Sequence, residues 1–260
     1  MITLPLAGLE VAMLAGVRIA AFLVIAPPFS SRAVPGTVKA MLAGWLGILA
    51  IPRATEAGGE RVGTAIASGT AQFIGDIVLQ VVIGAGLGFI VALVFSAVQS
   101  AGNLIDLFGG FQLAQAFDPL SMSNGSQFTR LYQMTATVLL FTSGAYQLVI
   151  GGLMRTFDAL PLGTGLDLAA LAETAAGGLT GMFVAALQIA GPLIAVLFLA
   201  DVGLGLLTRV APALNAFALG FPLKILMTIS LSVTAYVALP QIVDALTGDA
   251  IEGMLGVASS

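Results

Sequence analysis

Few residues in this 260-residue chain are equipped for chemistry. It contains no His and no Cys. That removes the commonest general base and metal ligand, together with thiolate nucleophiles and disulfides. Ser and Thr hydroxyls are scattered, with no base spaced to activate them. Neither an enzyme nor a metal or cofactor site is expected. Thirteen acids against nine bases give a net charge of −4, without a basic run. Nucleic acid is therefore not an expected partner, since phosphate contacts need clustered Lys and Arg. Gly84, Gly86 and Gly88 form a G-x-G-x-G run, but inside an uncharged apolar stretch rather than between a strand and a helix. A phosphate loop is not expected there.

What remains is a small set of charges in apolar surroundings. Arg18 interrupts the apolar run 9–26. A charge at that depth must find a partner or water. It either contacts a partner subunit or a pore, or it snorkels from a helix that is off the bilayer centre. Asp76 and Asp201 flank long apolar runs. They read either as an ion site of a secondary transporter or as helix-end carboxylates, which the dipole favours near an N-terminus. No acids cluster within one helical turn, as a transporter site would need.

The elements that must position these residues are membrane helices. Hydrophobic residues make up 58% of the chain and charged residues 8%, against ~25% charged in a soluble domain. Mean hydropathy is +1.07. Uncharged runs at 77–98, 131–154, 174–200 and 225–243 approach or exceed the ~20 residues a span needs. Weaker runs at 9–26 and 38–51 read as a hairpin across the Pro-containing turn 27–35. The expected fold is an all-α membrane protein of about six apolar helices in hairpins, without β alternation. Polar breaks are expected at 53–72 and 155–173. A basic count of five against three across alternate loops places both termini outside. The segment 99–130 is apolar yet punctuated by Gly109-Gly110, Asp118-Pro119 and Asn124-Gly125. Apolar loops at membrane depth are tolerated where they are buried in protein or line a cavity.

Small residues and aromatics supply the remaining candidates. Gly84 and Gly88 make a G-x-x-x-G, and Gly177 and Gly181 repeat that spacing, so both pairs are expected at tight helix contacts. Pro192 removes one backbone hydrogen bond and is expected to kink its helix. Phe108, Phe111 and Phe117 read either as ordinary packing or as an apolar constriction that excludes water from a passage.

The order of these features resembles the FliR/SctT family of type III secretion. The first hairpin reads RIAAFLVIAPPFSSRAVPGTVKAMLAG from Arg18. The centre reads GNLIDLFGGFQLAQAFDP, ending at Asp118-Pro119, and TFDALPLG follows at 156–163. The stretch LADVGLGLLTRVAPALNAFALGFPLKI at 199–225 carries Arg209, Pro212, Asn215, Gly220, Pro222 and Lys224 in the family's order. The resemblance implies an export-gate subunit of the flagellar basal body in the bacterial inner membrane, without catalysis or cofactor. Its implied partners are FliP, FliQ, the wider export apparatus including FlhB, unfolded exported substrates and membrane lipid. It also implies a FliP-like part at 1–173, a FliQ-like hairpin at 174–243 bent at Arg209 to Pro222, and a short tail at 244–260. Arg18, Arg209 and Lys224 are then candidates for buried or subunit contacts. A pore plug is implied at 106–117, with Phe108, Gly109, Gly110, Phe111, Leu113 and Phe117 as its residues. This chain has Leu113 and Ala116 where relatives can place aromatics, and Ala213 where relatives often carry Gln.

Overall fold

The computed structural model describes residues 6–32, 34–58, 70–112, 127–211 and 216–259. Seven α-helices run through them: α1 (Leu6–Ile25), α2 (Gly36–Gly58), α3 (Thr70–Phe108), α4 (Gln127–Thr142), α5 (Ala145–Ala159), α6 (Leu168–Val210) and α7 (Ala216–Ala258). No strand occurs among the described residues. The helices form because the sequence supplies long, predominantly apolar runs, and only a helix satisfies every backbone group within such a segment. Four of them are long and apolar enough to cross a membrane, and α4 with α5 forms a fifth candidate span that is broken.

The expected elements appear with instructive differences. The run 131–154 is two helices, interrupted at Ser143–Gly144. Gly144 adopts φ +77°, a left-handed conformation that favours glycine, and the Ser143 hydroxyl accepts a 3.3 Å bond from the Ala145 amide. The 244–260 stretch, expected as a tail, continues α7 to Ala258. Its charges hid this: Asp244, Asp249 and Glu252 are exposed, while Leu246, Ala250, Met254 and Val257 recur at helical spacing and are buried. It is an amphipathic helix end, so an apolar-run criterion stops too early. Helices α3, α6 and α7 hold 39, 43 and 43 residues. At 1.5 Å per residue they are about 58–65 Å long, roughly twice a ~30 Å hydrocarbon core.

The chain divides into two compact units. The first comprises residues to Val94, Leu140–Leu179 and Leu246 onward. Here α1 packs on α2, and α2 on α5. Gly47 lets α2 approach α1 closely: a Cβ there would lie 2.8 Å from the Ala12 carbonyl oxygen and 2.9 Å from the Gly16 nitrogen. An exposed ion pair, Arg53 to Asp158 at 3.0 Å, joins α2 to α5. Ile19, Phe22, Leu23, Leu87, Leu153 and Phe157 are fully enclosed. The second unit comprises Phe95–Leu139 and Thr180–Ala245. Its buried residues include Ile105, Tyr132, Leu193, Leu197, Thr228 and Leu239.

Candidate functional site

The second unit holds the end of α3, where the apolar helix meets the glycine break. The Gly109 amide still donates to the Ile105 carbonyl at 2.8 Å. Gly110 then turns left-handed at φ +81° and ends the helix. Gly109 has a steric reason to be glycine. A Cβ on it would lie 2.8 Å from Thr228 Oγ1, so α3 ends in direct contact with α7. A Cβ on Gly110 would face the Phe221 ring at 3.6 Å. Phe111 is half-buried and meets Phe128 of α4 edge-to-face, with centroids 5.2 Å apart and an interplanar angle of 73°. Phe108 is half-buried. Leu113 and Phe117 lie outside the described residues.

Asp106 anchors this corner. It is fully buried. Its carboxylate accepts the Phe128 amide at 3.0 Å, the Thr129 amide at 2.9 Å and the Thr129 hydroxyl at 3.0 Å. It therefore satisfies amides that the first turn of α4 leaves unpaired, where the helix dipole favours an anion. Gly102 permits the approach, because a Cβ there would lie 2.6 Å from the Thr129 α-carbon. The sequence places the start of the candidate plug at Asp106 but gives the residue no role. The only sequence signal is an acid inside an apolar amphipathic run.

The α6–α7 hairpin carries an ion pair in the same unit. Lys224 Nζ lies 2.7 Å from the Asp201 carboxylate. Asp201 thus has a cation beside it, and Thr228, one turn beyond Lys224, donates to the Lys224 carbonyl at 2.8 Å. Arg209 lies exposed in the last turn of α6, where a cation suits the negative end of the helix. In the chain by itself it is not a buried charge. Pro192 sits within a continuous α6. With Gln188, Leu193, Val196, Leu231 and Thr234 it lines a groove of about 320 Å³ between α6 and α7.

In the first unit, Arg18 is fully buried within the chain. Its Nε donates to Gln80 Oε1 at 2.7 Å and its Nη1 to the Leu160 carbonyl at 2.9 Å. The guanidinium lies over the Phe157 ring, 4.4 Å from the centroid. These contacts reach α3, α5 and the residue following α5. Gly84 and Gly88 are what bring α3 close enough. A Cβ on Gly84 would collide with the Arg18 carbonyl oxygen, and one on Gly88 would lie 3.0 Å from the Phe22 carbonyl oxygen. Gln80, one turn before Gly84, is thereby carried to Arg18. Gly177 and Gly181 behave differently: a Cβ on either meets nothing within 4 Å, whereas one on Gly178 would lie 3.0 Å from Leu93. Asp76 is half-buried in the second turn of α3.

Large apolar side chains remain uncovered along the hairpin, among them Phe183, Phe198, Leu199 and Val210 on α6 and Leu226 and Val237 on α7. Such faces belong against lipid or other subunits. The profile of the bacterial export proteins, family 1, matches residues 9–250. This chain belongs to that family. It is 38% identical over 217 residues to the flagellar biosynthetic protein FliR of Escherichia coli (strain K12), covering 82% of this chain and 79% of that protein. It is 27% identical over 216 residues to FliR of Bacillus subtilis (strain 168), covering 82% and 81%. The secretion system apparatus protein SsaT of Salmonella typhimurium is 32% identical over 166 residues, covering 62% of this chain and 64% of that protein. Membership in a family of export proteins agrees with a chain rich in helix-packing glycines and uncovered apolar faces.

Proposed function

We propose that this chain is a subunit of the flagellar type III export gate in the bacterial inner membrane. It assembles with FliP and FliQ, alongside FlhB and the wider apparatus, around a pore for unfolded substrate proteins. It performs no catalysis. The observation that carries this reading is the 38% identity to a flagellar biosynthetic FliR across 82% of the chain. Coverage of the secretion system apparatus protein SsaT is lower, at 62%, which favours flagellar use. Three physical features agree. Helices of about 58–65 Å exceed a single bilayer crossing. The uncovered faces of α6 and α7 offer surface for neighbouring subunits. The apolar α3 breaks at Gly109-Gly110 beside Phe108 and Phe111, large apolar side chains of the kind that close a passage by excluding water.

The reading as a small secondary transporter loses support from the ion pair. Asp201 sits 2.7 Å from Lys224, so a cation already balances the carboxylate that would hold a transported ion. Within the gate reading, the stretch 106–117 acts as the plug, and Gly177 and Gly181 belong to contacts with neighbouring subunits. Co-purification tests the assignment. The tagged chain should bring down FliP and FliQ in a stable detergent-solubilised complex, identified by mass spectrometry. Recovery of a monodisperse single-subunit protein with ion-flux activity would support the transporter instead.

A further inference from the structure

The plug reading leaves open what holds its aromatic side chains in place when no substrate is present. From the geometry we infer that Asp106 is a positioning residue. It ties the end of α3, and with it Phe108 and Phe111, to the first turn of α4. This inference rests on the plug reading above for its consequence, but not for its geometry.

Several independent contacts converge on the tie. Both oxygens of the buried Asp106 carboxylate are used, one by the Phe128 amide and the other by the amide and hydroxyl of Thr129. The Thr129 hydroxyl also lies 2.8 Å from Asn103 Oδ1. A hydroxyl has one proton, and the carboxylate is the stronger acceptor. With the proton given to Asp106, the Asn103 amide satisfies the hydroxyl by presenting its NH₂, since its O and N exchange by a flip. Asn103, Asp106 and Thr129 therefore form one connected network. Gly102 seats the Thr129 backbone against α3. The Phe111 ring rests on Phe128, whose amide Asp106 holds. Asp106 thus reaches Phe111 through Phe128, linking the two sides of the break. Because the contact is polar within an apolar corner, it fixes one register between α3 and α4, where apolar packing alone would allow sliding.

The test uses the assembled gate with its partner subunits. The chain has no native Cys, so Leu107→Cys and Leu131→Cys, both at exposed positions, carry the only spin labels in this subunit. Their separation reports the α3–α4 register, and idle conductance across vesicles reports the seal. Asp106→Asn keeps the shape but sets an amide donor against a backbone donor. We expect a broadened label distance and an idle leak raised about ten-fold or more, the equivalent of losing one charge-assisted hydrogen bond. Thr129→Val should do the same to a smaller degree, and Thr129→Ser should restore the wild-type behaviour. A broadened distance without a leak, both in Asp106→Asn and after deletion of 110–115, would support the tie and refute the plug. An unchanged distance in Asp106→Asn would overturn the tie whatever the deletion does. Loss of the assembled complex in both Asp106→Asn and Thr129→Val would also overturn it, because Asp106 would then serve folding alone.

Discussion

Arg18 offers the sharpest test of how the first unit is held together. The guanidinium is fully buried and makes hydrogen bonds to Gln80 Oε1 and the Leu160 carbonyl while lying over Phe157. Arg18→Ala removes all three contacts and leaves two enclosed oxygens without donors. Each lost bond to a charged group is worth about 1.5–3 kcal/mol, so the cost should be about 3–5 kcal/mol, similar to breaking a buried pair. At roughly 2–4 °C per kcal/mol for a chain of this size, the heat-inactivation midpoint of the assembled complex should fall by about 6–20 °C. Arg18→Lys keeps the charge but cannot serve two acceptors in different directions, and should fall between. Arg18→Met with Gln80→Leu replaces the polar cluster by packed apolar volume and should recover more than half of the loss, because only the Leu160 carbonyl remains unserved. Complex surviving a graded heat step, measured by size exclusion, gives the midpoint. Wild-type stability of Arg18→Ala would refute this reasoning, as would a double variant no better than Arg18→Met alone.

The other expectations are more local. Gly84→Leu drives a side chain into the Arg18 carbonyl and should abolish recovery of folded subunit, whereas Gly177→Leu should leave the subunit's own melting unchanged and lower only the yield of complex; equal effects on both quantities would remove the distinction. Lys224→Ala leaves Asp201 alone on an apolar helix and should cost about 1 kcal/mol, given that both side chains are partly exposed. Exchanging the pair, Asp201→Lys with Lys224→Asp, should restore most of it, and a thermal melt showing no recovery would count against a pairwise role.

The helices were legible because uncharged apolar runs have few alternatives to a helix at membrane depth. The break at Ser143–Gly144 was not legible, since neither residue interrupts the apolar pattern in composition. The last turns of α7 escaped because their charges lie on one exposed face. Spacing alone brought out the Gly84/Gly88 pair, which packs on α1, but the same spacing at Gly177/Gly181 marks a face that this chain leaves open. A one-dimensional pattern says which residues share a helical face. It does not say which neighbour that face meets. For the same reason Arg18 was visible as a buried charge, while Gln80, a neutral residue 62 positions away, was not visible as its partner. Asp106 is the clearest omission: its role depends on the amides of Phe128 and Thr129, 22 and 23 residues later.

Removal of residues 110–115 tests the central claim most directly. The deletion takes away the left-handed Gly110 and the half-buried Phe111 while keeping Asp106, Phe128 and Thr129. The gate, assembled with its partner subunits, is reconstituted into vesicles, and its idle conductance is measured beside its recovery. A water-excluding constriction predicts a leak of small ions through a complex recovered at close to wild-type yield. A complex that assembles and stays tight, or one that is lost with no leak, would contradict the account.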